Sequence, residues 1–177
     1  MKIYLTMLLA VTFIVTHAQK YAAEKSQVAF FSKATIEDIQ ASNQKASSLF
    51  NSSTGDIAFS IPIHEFKFEQ SLMQEHFNEK YMETERYPKS TFAGKIIGYD
   101  ANVTSEQHIT AKGKLVIHGV AREVEIPGTI IRQGEKLTMK SSFTVKLEDY
   151  KIKIPQLLWQ NIAEQIDVTI TLTYKPQ

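Results

Sequence analysis

The sequence predicts an all-β domain, an antiparallel sandwich or barrel of about eight strands. Three observations carry that expectation. Apolar residues recur with a period of two over stretches as long as residues 137–147, a spacing that a helix cannot use. Short turn signals separate these stretches at Thr54-Gly55-Asp56, at residues 98–102, at His118-Gly119 and at residues 133–136, which suits hairpins between antiparallel neighbours. Each stretch has one dry face and one wet face and lacks an intervening crossover helix, unlike the strands of a parallel sheet buried on both sides.

In chain order, Met1 and Lys2 form a short basic start, residues 3–15 are an almost charge-free apolar run, and Thr16-His17-Ala18-Gln19 offers a small-residue cleavage site. This is the pattern of a signal peptide over residues 1–19. As a helix the run reaches only about 20 Å, short of the roughly 30 Å hydrocarbon core, so a membrane-spanning anchor is disfavoured. The mature chain then starts near Gln19 or Lys20, loses only Lys2 among its charges, and forms one domain over residues 20–177. An exported protein, periplasmic or secreted, is expected.

Residues 28–33 and 39–49 are weaker strand candidates. Ile57, Phe59, Ile61 and Ile63 then share a face opposite Ala58, Ser60 and Pro62. The period breaks at residues 71–84, where Leu72, Met73, His76, Phe77, Lys80 and Tyr81 recur at helical spacing. Ser71 and Gln74 have the capping-box form, and Tyr87-Pro88 lies past the end of this amphipathic helix. Residues 92–99 and 124–131 are again weaker strands, whereas Ile109, Ala111, Gly113, Leu115 and Ile117 alternate cleanly. So do Leu137, Met139, Ser141, Phe143, Val145 and Leu147, and finally Ile166, Val168, Ile170, Leu172 and Tyr174. A short helix or turn is expected over residues 156–163, after Ile154-Pro155.

Composition narrows the function. The chain has 177 residues, 43% hydrophobic, with 20 Lys+Arg against 19 Asp+Glu, so no summed field favours nucleic acid or an anionic membrane. There is no cysteine, which removes thiol nucleophiles, CxxC pairs and Cys-based zinc sites. The core has to hold the fold without disulfides. No G-x-S-x-G elbow, Gly-rich phosphate loop or HExxH motif occurs, so no catalytic residue, metal ligand or cofactor is assigned. The histidines left after export, His64, His76, His108 and His118, lie on different predicted elements. His118 begins a turn, and hydrogen bonding to loop backbone is its expected role. The glutamates 75, 79, 83 and 85 read as a solvated face of the helix.

The runs Leu72-Met73-Gln74-Glu75-His76-Phe77-Asn78, Tyr87-Pro88-Lys89-Ser90-Thr91-Phe92-Ala93-Gly94 and Gly113-Lys114-Leu115-Val116-Ile117-His118-Gly119-Val120-Ala121-Arg122, in that order, resemble the YceI-like family. The ending Lys151-Ile152-Lys153-Ile154-Pro155 with Trp159-Gln160-Asn161-Ile162-Ala163-Glu164 is similar to one branch of it, and the likeness covers residues 21–175. Where many members carry a His-x-Gly pair near the first strands, this chain has Ala41-Ser42-Asn43. The resemblance implies a lipocalin-like antiparallel β-barrel of about eight strands in an exported protein. It further implies a long amphiphile, such as an isoprenoid or quinone-type lipid, held inside for transport, storage or sequestration.

The inward rows mix Phe59, Phe143 and Met139 with Ala111, Gly113 and Ser141, and small residues midway along a dry face are expected to leave room for such a guest. The expected ligand-binding set has Phe59, Ile61, Phe92, Met139, Phe143 and Val145 as walls. Leu72, Met73, Phe77 and Tyr81 belong to the helix packed on or over the barrel, His76 is within reach of a polar oxygen, and Trp159 plugs one barrel end. The expected partner is a lipid-like small molecule, with no nucleic acid and no membrane span after export, in a monomer or dimer. Two other classes stay open: an enzyme or isomerase using His76 or His118 at the barrel mouth, and a solid-cored surface or stress protein that binds other proteins.

Overall fold

A computed structural model of the chain describes residues 20–33, 38–154 and 163–177. The expected signal peptide, and most of the short helix expected near residue 160 together with Trp159, lie outside these residues. Nine strands form one antiparallel sheet: β1 (Lys20–Ser32), β2 (Ile39–Asn43), β3 (Ser47–Asn51), β4 (Asp56–Pro62), β5 (Lys89–Ile97), β6 (Gln107–Ile117), β7 (Val120–Gln133), β8 (Lys136–Lys146) and β9 (Gln165–Pro176). The first and last long strands pair along their length, from Tyr21 opposite Pro176 to Phe31 opposite Asp167, and this closes an eight-stranded barrel with β2 as an extra strand. Closure leaves the inward faces nowhere to pack but on one another.

Three departures from simple alternation have local causes. β1 carries a bulge between Ala23 and Lys25, so its inward residues switch from Tyr21 and Ala23 to Val28, Phe30 and Ser32. That switch hides its first half from a period-two reading, which detects only residues 28–33. The stretch 39–49 is two strands rather than one: the first pairs with the end of β1 through Val28 opposite Asn43, the second with its start through Ala22 opposite Leu49. Asn43, 1% exposed, holds the break by donating from Nδ2 to the Pro62 carbonyl at 2.8 Å and accepting the Lys45 N–H at 2.7 Å. This is one of the positions where the chain departs from the family's His-x-Gly pair, and its amide has a structural task.

The third departure is at Gly94 and Gly113, which face each other across β5 and β6. A Cβ on Gly113 would lie 2.3 Å from the Ala93 carbonyl oxygen and 2.5 Å from the Gly94 Cα. Gly113 therefore does not make room for a ligand, as its place in an inward row suggested. It lets two backbones press together across β5 and β6. Gly113→Ala is expected to cost about 2 kcal/mol or more, because the obstructing atoms are backbone and cannot rotate away. A urea midpoint indistinguishable from that of the unaltered protein would contradict this.

The barrel has a packed end and a lined end. At the packed end Tyr21, Phe50 and Tyr174 are essentially unexposed, with ring centroids 6.4 Å apart for Tyr21 and Phe50 and 6.3 Å for Phe50 and Tyr174. Leu137 and Ile130 fill the same region at 0% exposure. The Tyr174 hydroxyl donates to Ser48 Oγ at 2.7 Å, and Ser48 in turn donates to the Ala58 carbonyl at 2.8 Å.

Burial pushes the Tyr174 phenol far above the ordinary tyrosine range, against a smaller opposing effect of the Ser48 hydrogen bond. The folded pKa exceeds the unfolded one, so this contribution to stability is complete below about pH 10 and is lost as the pH rises beyond it. Alkaline titration should thus lower the urea midpoint, and Tyr174→Phe should flatten that decline. An equally steep decline in the variant would place the responsible proton elsewhere.

Candidate functional site

The other half of the barrel is hollow. A cavity of about 390 Å³ lies there, bordered by the barrel strands and by the connection between β4 and β5. Its volume is in the range of small-molecule sites, about 300–1,000 Å³. β4 contributes Phe59 and Ile61, β8 contributes Phe143 and Val145, and β9 contributes Ile166, Val168 and Ile170. From β1 come Val28 and Phe30, and from β6 Leu115 and Ile117. Each set occupies alternate positions because only every second side chain of a strand points inward. A solid core is thereby excluded for this half of the molecule.

The long connection from β4 to β5 closes the cavity over. It contains a 3₁₀ turn (Ile63–Glu65), the helix α1 (Ser71–His76) and a π-helical turn (Phe77–Tyr81). The expected helix over residues 71–84 is thus shorter and changes its winding at Phe77. Ser71 is the first helical residue rather than the cap, Gln70 stands at the cap position but does not cap the helix through its side chain, and the capping box does not form. The Gln74 side chain instead accepts a long bond from the Phe68 N–H at 3.5 Å.

Leu72, Met73, His76, Phe77 and Tyr81 all border the cavity. What seats the helix is an aromatic cluster: Phe77 stacks on Phe30 at 5.6 Å and meets Phe68 at 5.0 Å and Phe66 at 5.7 Å. Lys67 exchanges backbone hydrogen bonds with Ser42 of β2 at 2.8 and 3.1 Å, which fixes Phe66 and Phe68 on the rim.

Two residues expected as walls stand elsewhere. Phe92 and Met139 point inward but are buried in the layer beneath the cavity and do not border it. Phe92 lies across from Phe59 on one side and Leu115 on the other, and Met139 lies between Ile130 and Leu172. Conversely, sequence reasoning left out Phe30, Phe66, Phe68, Ile166, Val168 and Ile170 as site residues. The three β9 positions were visible as an inward row. Phe66 and Phe68 belong to no long alternation, and only the bridge to β2 brings them in.

The cavity is mainly apolar. Its polar atoms belong to Ser32, Gln70, His76, Tyr81, Ser90 and Thr91. Ser32 Oγ accepts the Ala163 N–H at 3.1 Å, and burial raises the Tyr81 phenol above its ordinary value. Gln70, His76 and Tyr81 come from the covering segment, and Ser32, Ser90 and Thr91 from β1 and β5.

His118 does not border the cavity. It sits in the β6–β7 hairpin with Nδ1 3.3 Å from the Tyr150 carbonyl and Nε2 3.2 Å from Glu83 Oε1, and the Tyr87 ring meets it edge-on at 4.4 Å. Through these contacts it ties the loop after the helix and the β8–β9 connection to the barrel rim, away from the cavity. Backbone bonding was its expected role; Glu83, expected on a solvated face, is its second partner. Among the described residues no three His, Cys, Asp or Glu side chains are grouped as a metal would require. No helix among them is long and apolar enough to cross a membrane.

Comparison with known proteins places this architecture. The model of the YceI-like domain matches residues 10–174. Similar solved structures include a polyisoprenoid binding domain from Saccharophagus degradans, at TM-score 0.76 and 15% identity over 89% of this chain and 98% of that one. BcnA of Burkholderia cenocepacia superposes at TM-score 0.71 and 19% identity over 84% of this chain and 95% of its own. The Campylobacter jejuni YCEI protein does so at TM-score 0.55 and 17% identity, covering 100% and 99% of the two chains. At these identities the likeness is one of fold. No curated protein matches the sequence.

Proposed function

The chain belongs to the YceI-like domain family, and on that premise we propose that it is an exported binding protein that shelters the apolar tail of an isoprenoid or quinone-type lipid inside its barrel. The observation that carries this reading is the cavity itself: about 390 Å³, mainly apolar, with the side chains of Gln70, His76 and Tyr81 brought to it by the covering segment. Burial of each CH₂-sized group there contributes about 0.8 kcal/mol, so a five-carbon unit offers roughly 3–4 kcal/mol before association costs. A few such units reach micromolar affinity, about −8 kcal/mol. Head-group selection falls to Gln70, His76 and Tyr81, because apolar contact alone discriminates weakly between amphiphiles.

Residues 1–19 fit this reading as a leader removed on export, leaving residues 20–177 as the carrier. The similar fold of a polyisoprenoid binding domain from Saccharophagus degradans supports the reading. The test is native mass spectrometry of protein purified without detergent and incubated with polyprenols and quinones. A retained lipid mass is the expected result; a clean protein mass after both incubations would refute the proposal.

A further inference from the structure

The hollow half of the barrel is short, and the reason lies in what fills the other half. On β9 the bordering residues run only from Ile166 to Ile170, and on β8 from Phe143 to Val145, with Leu147 just beyond the strand. The four residue steps from Ile166 to Ile170 span about 13 Å, or about 10 Å along the barrel axis at a tilt near 40°. The next buried residues along these inward rows are Leu172 at 4% exposure, Met139 at 6%, reached past the small Ser141 on β8, and Phe92 at 7%, none of which borders the cavity. Beneath them the packed layers of Ile130, Leu137, Phe50 and Tyr174 continue to the closed end.

We propose that Phe92, Met139 and Leu172 form a floor that limits the length of tail the protein can bury. This rests on the carrier reading above and adds a chain-length specificity to it. Each carbon–carbon bond of about 1.5 Å advances an extended chain by roughly 1.3 Å, so this depth takes about eight main-chain carbons, or about two isoprenoid units. A longer tail gains nothing from its further carbons, which stay outside the apolar pocket or force it to coil. Deepening the cavity means opening a close-packed layer, and interiors of that kind do not yield without a mutation.

The test is calorimetric titration with straight-chain primary alcohols of increasing length. Affinity is expected to rise about fourfold per methylene, the equivalent of about 0.8 kcal/mol, and then to level off near eight carbons. Met139→Ala should move the break to longer alcohols. Ile170→Phe, which raises the floor instead of lowering it, should move the break to shorter ones and keeps the test decisive if the first variant does not fold. A fourfold gain that continues past about fourteen carbons in the unaltered protein would overturn the length limit while leaving the carrier reading intact. Failure of every alcohol to bind would overturn both.

Discussion

Val168→Trp is expected to abolish lipid retention in a barrel that still folds. Val168 borders the cavity from β9, between Phe30 of β1 and Phe143 of β8 in the strand register. An indole there occupies the space intended for the tail. Overpacking of this kind costs about 1–3 kcal/mol in a filled core and less where a void receives the added atoms. Binding is far more sensitive, because displacing even one five-carbon unit removes roughly 3–4 kcal/mol, more than a hundredfold in affinity. Thr169→Trp is the control: Thr169 is exposed on the outer face, one residue along, and its replacement should leave retention unchanged. Native mass spectrometry of the two variants reads both outcomes. Lipid retained equally by both would mean that the tail does not lie in this cavity.

Phe50→Ala carries the largest expected loss of stability. The ring is 1% exposed and sits among Tyr21, Tyr99 and Tyr174, with Tyr99 at 5.6 Å edge-on. Removing a buried phenylalanine costs about 3–5 kcal/mol through lost transfer energy and the void left behind. In a domain of this size that lowers the melting temperature by roughly 10 °C or more. Lipid binding should survive at low temperature, since the hollow half does not include Phe50. A melting temperature lowered by only a degree or two would mean that this end of the barrel is not a packed plug.

These two variants separate halves that look alike in the sequence. Phe59, Phe143 and Val145 alternate as clearly as Ile57, Leu137 and Met139, yet the first three border the cavity and the last three are in the filled core. A period of two says which face a residue is on, and nothing about how far along the barrel it stands. That height depends on strand tilt and register, which each strand inherits from its neighbours around the ring. Phe92 illustrates the point: it is inward, aromatic and next in register to Phe59 and Leu115, and still forms floor instead of wall.

Local chemistry accounts for other differences. The bulge near Glu24 moves β1 from one inward phase to the other, so Val28, Phe30 and Ser32 do not continue the row that Tyr21 begins. Helical spacing was present at residues 71–81, but the winding changes at Phe77, where stacking against Phe30, Phe66 and Phe68 holds that ring down. No window confined to one segment contains those partners. The same holds for His118, whose two hydrogen bonds come from residues 32 and 35 positions away.

The sequence by itself determined that this is an antiparallel β protein with one amphipathic helix, because alternation and turn residues are properties of neighbours along the chain. Family membership was legible for the same reason, in three runs of adjacent residues. Tertiary structure alone decided that β1 meets β9 and that one half of the resulting barrel is packed while the other is open. Closure joins residues at opposite ends of the chain, and the depth of a void depends on the summed volumes of side chains from every strand at one level of the ring.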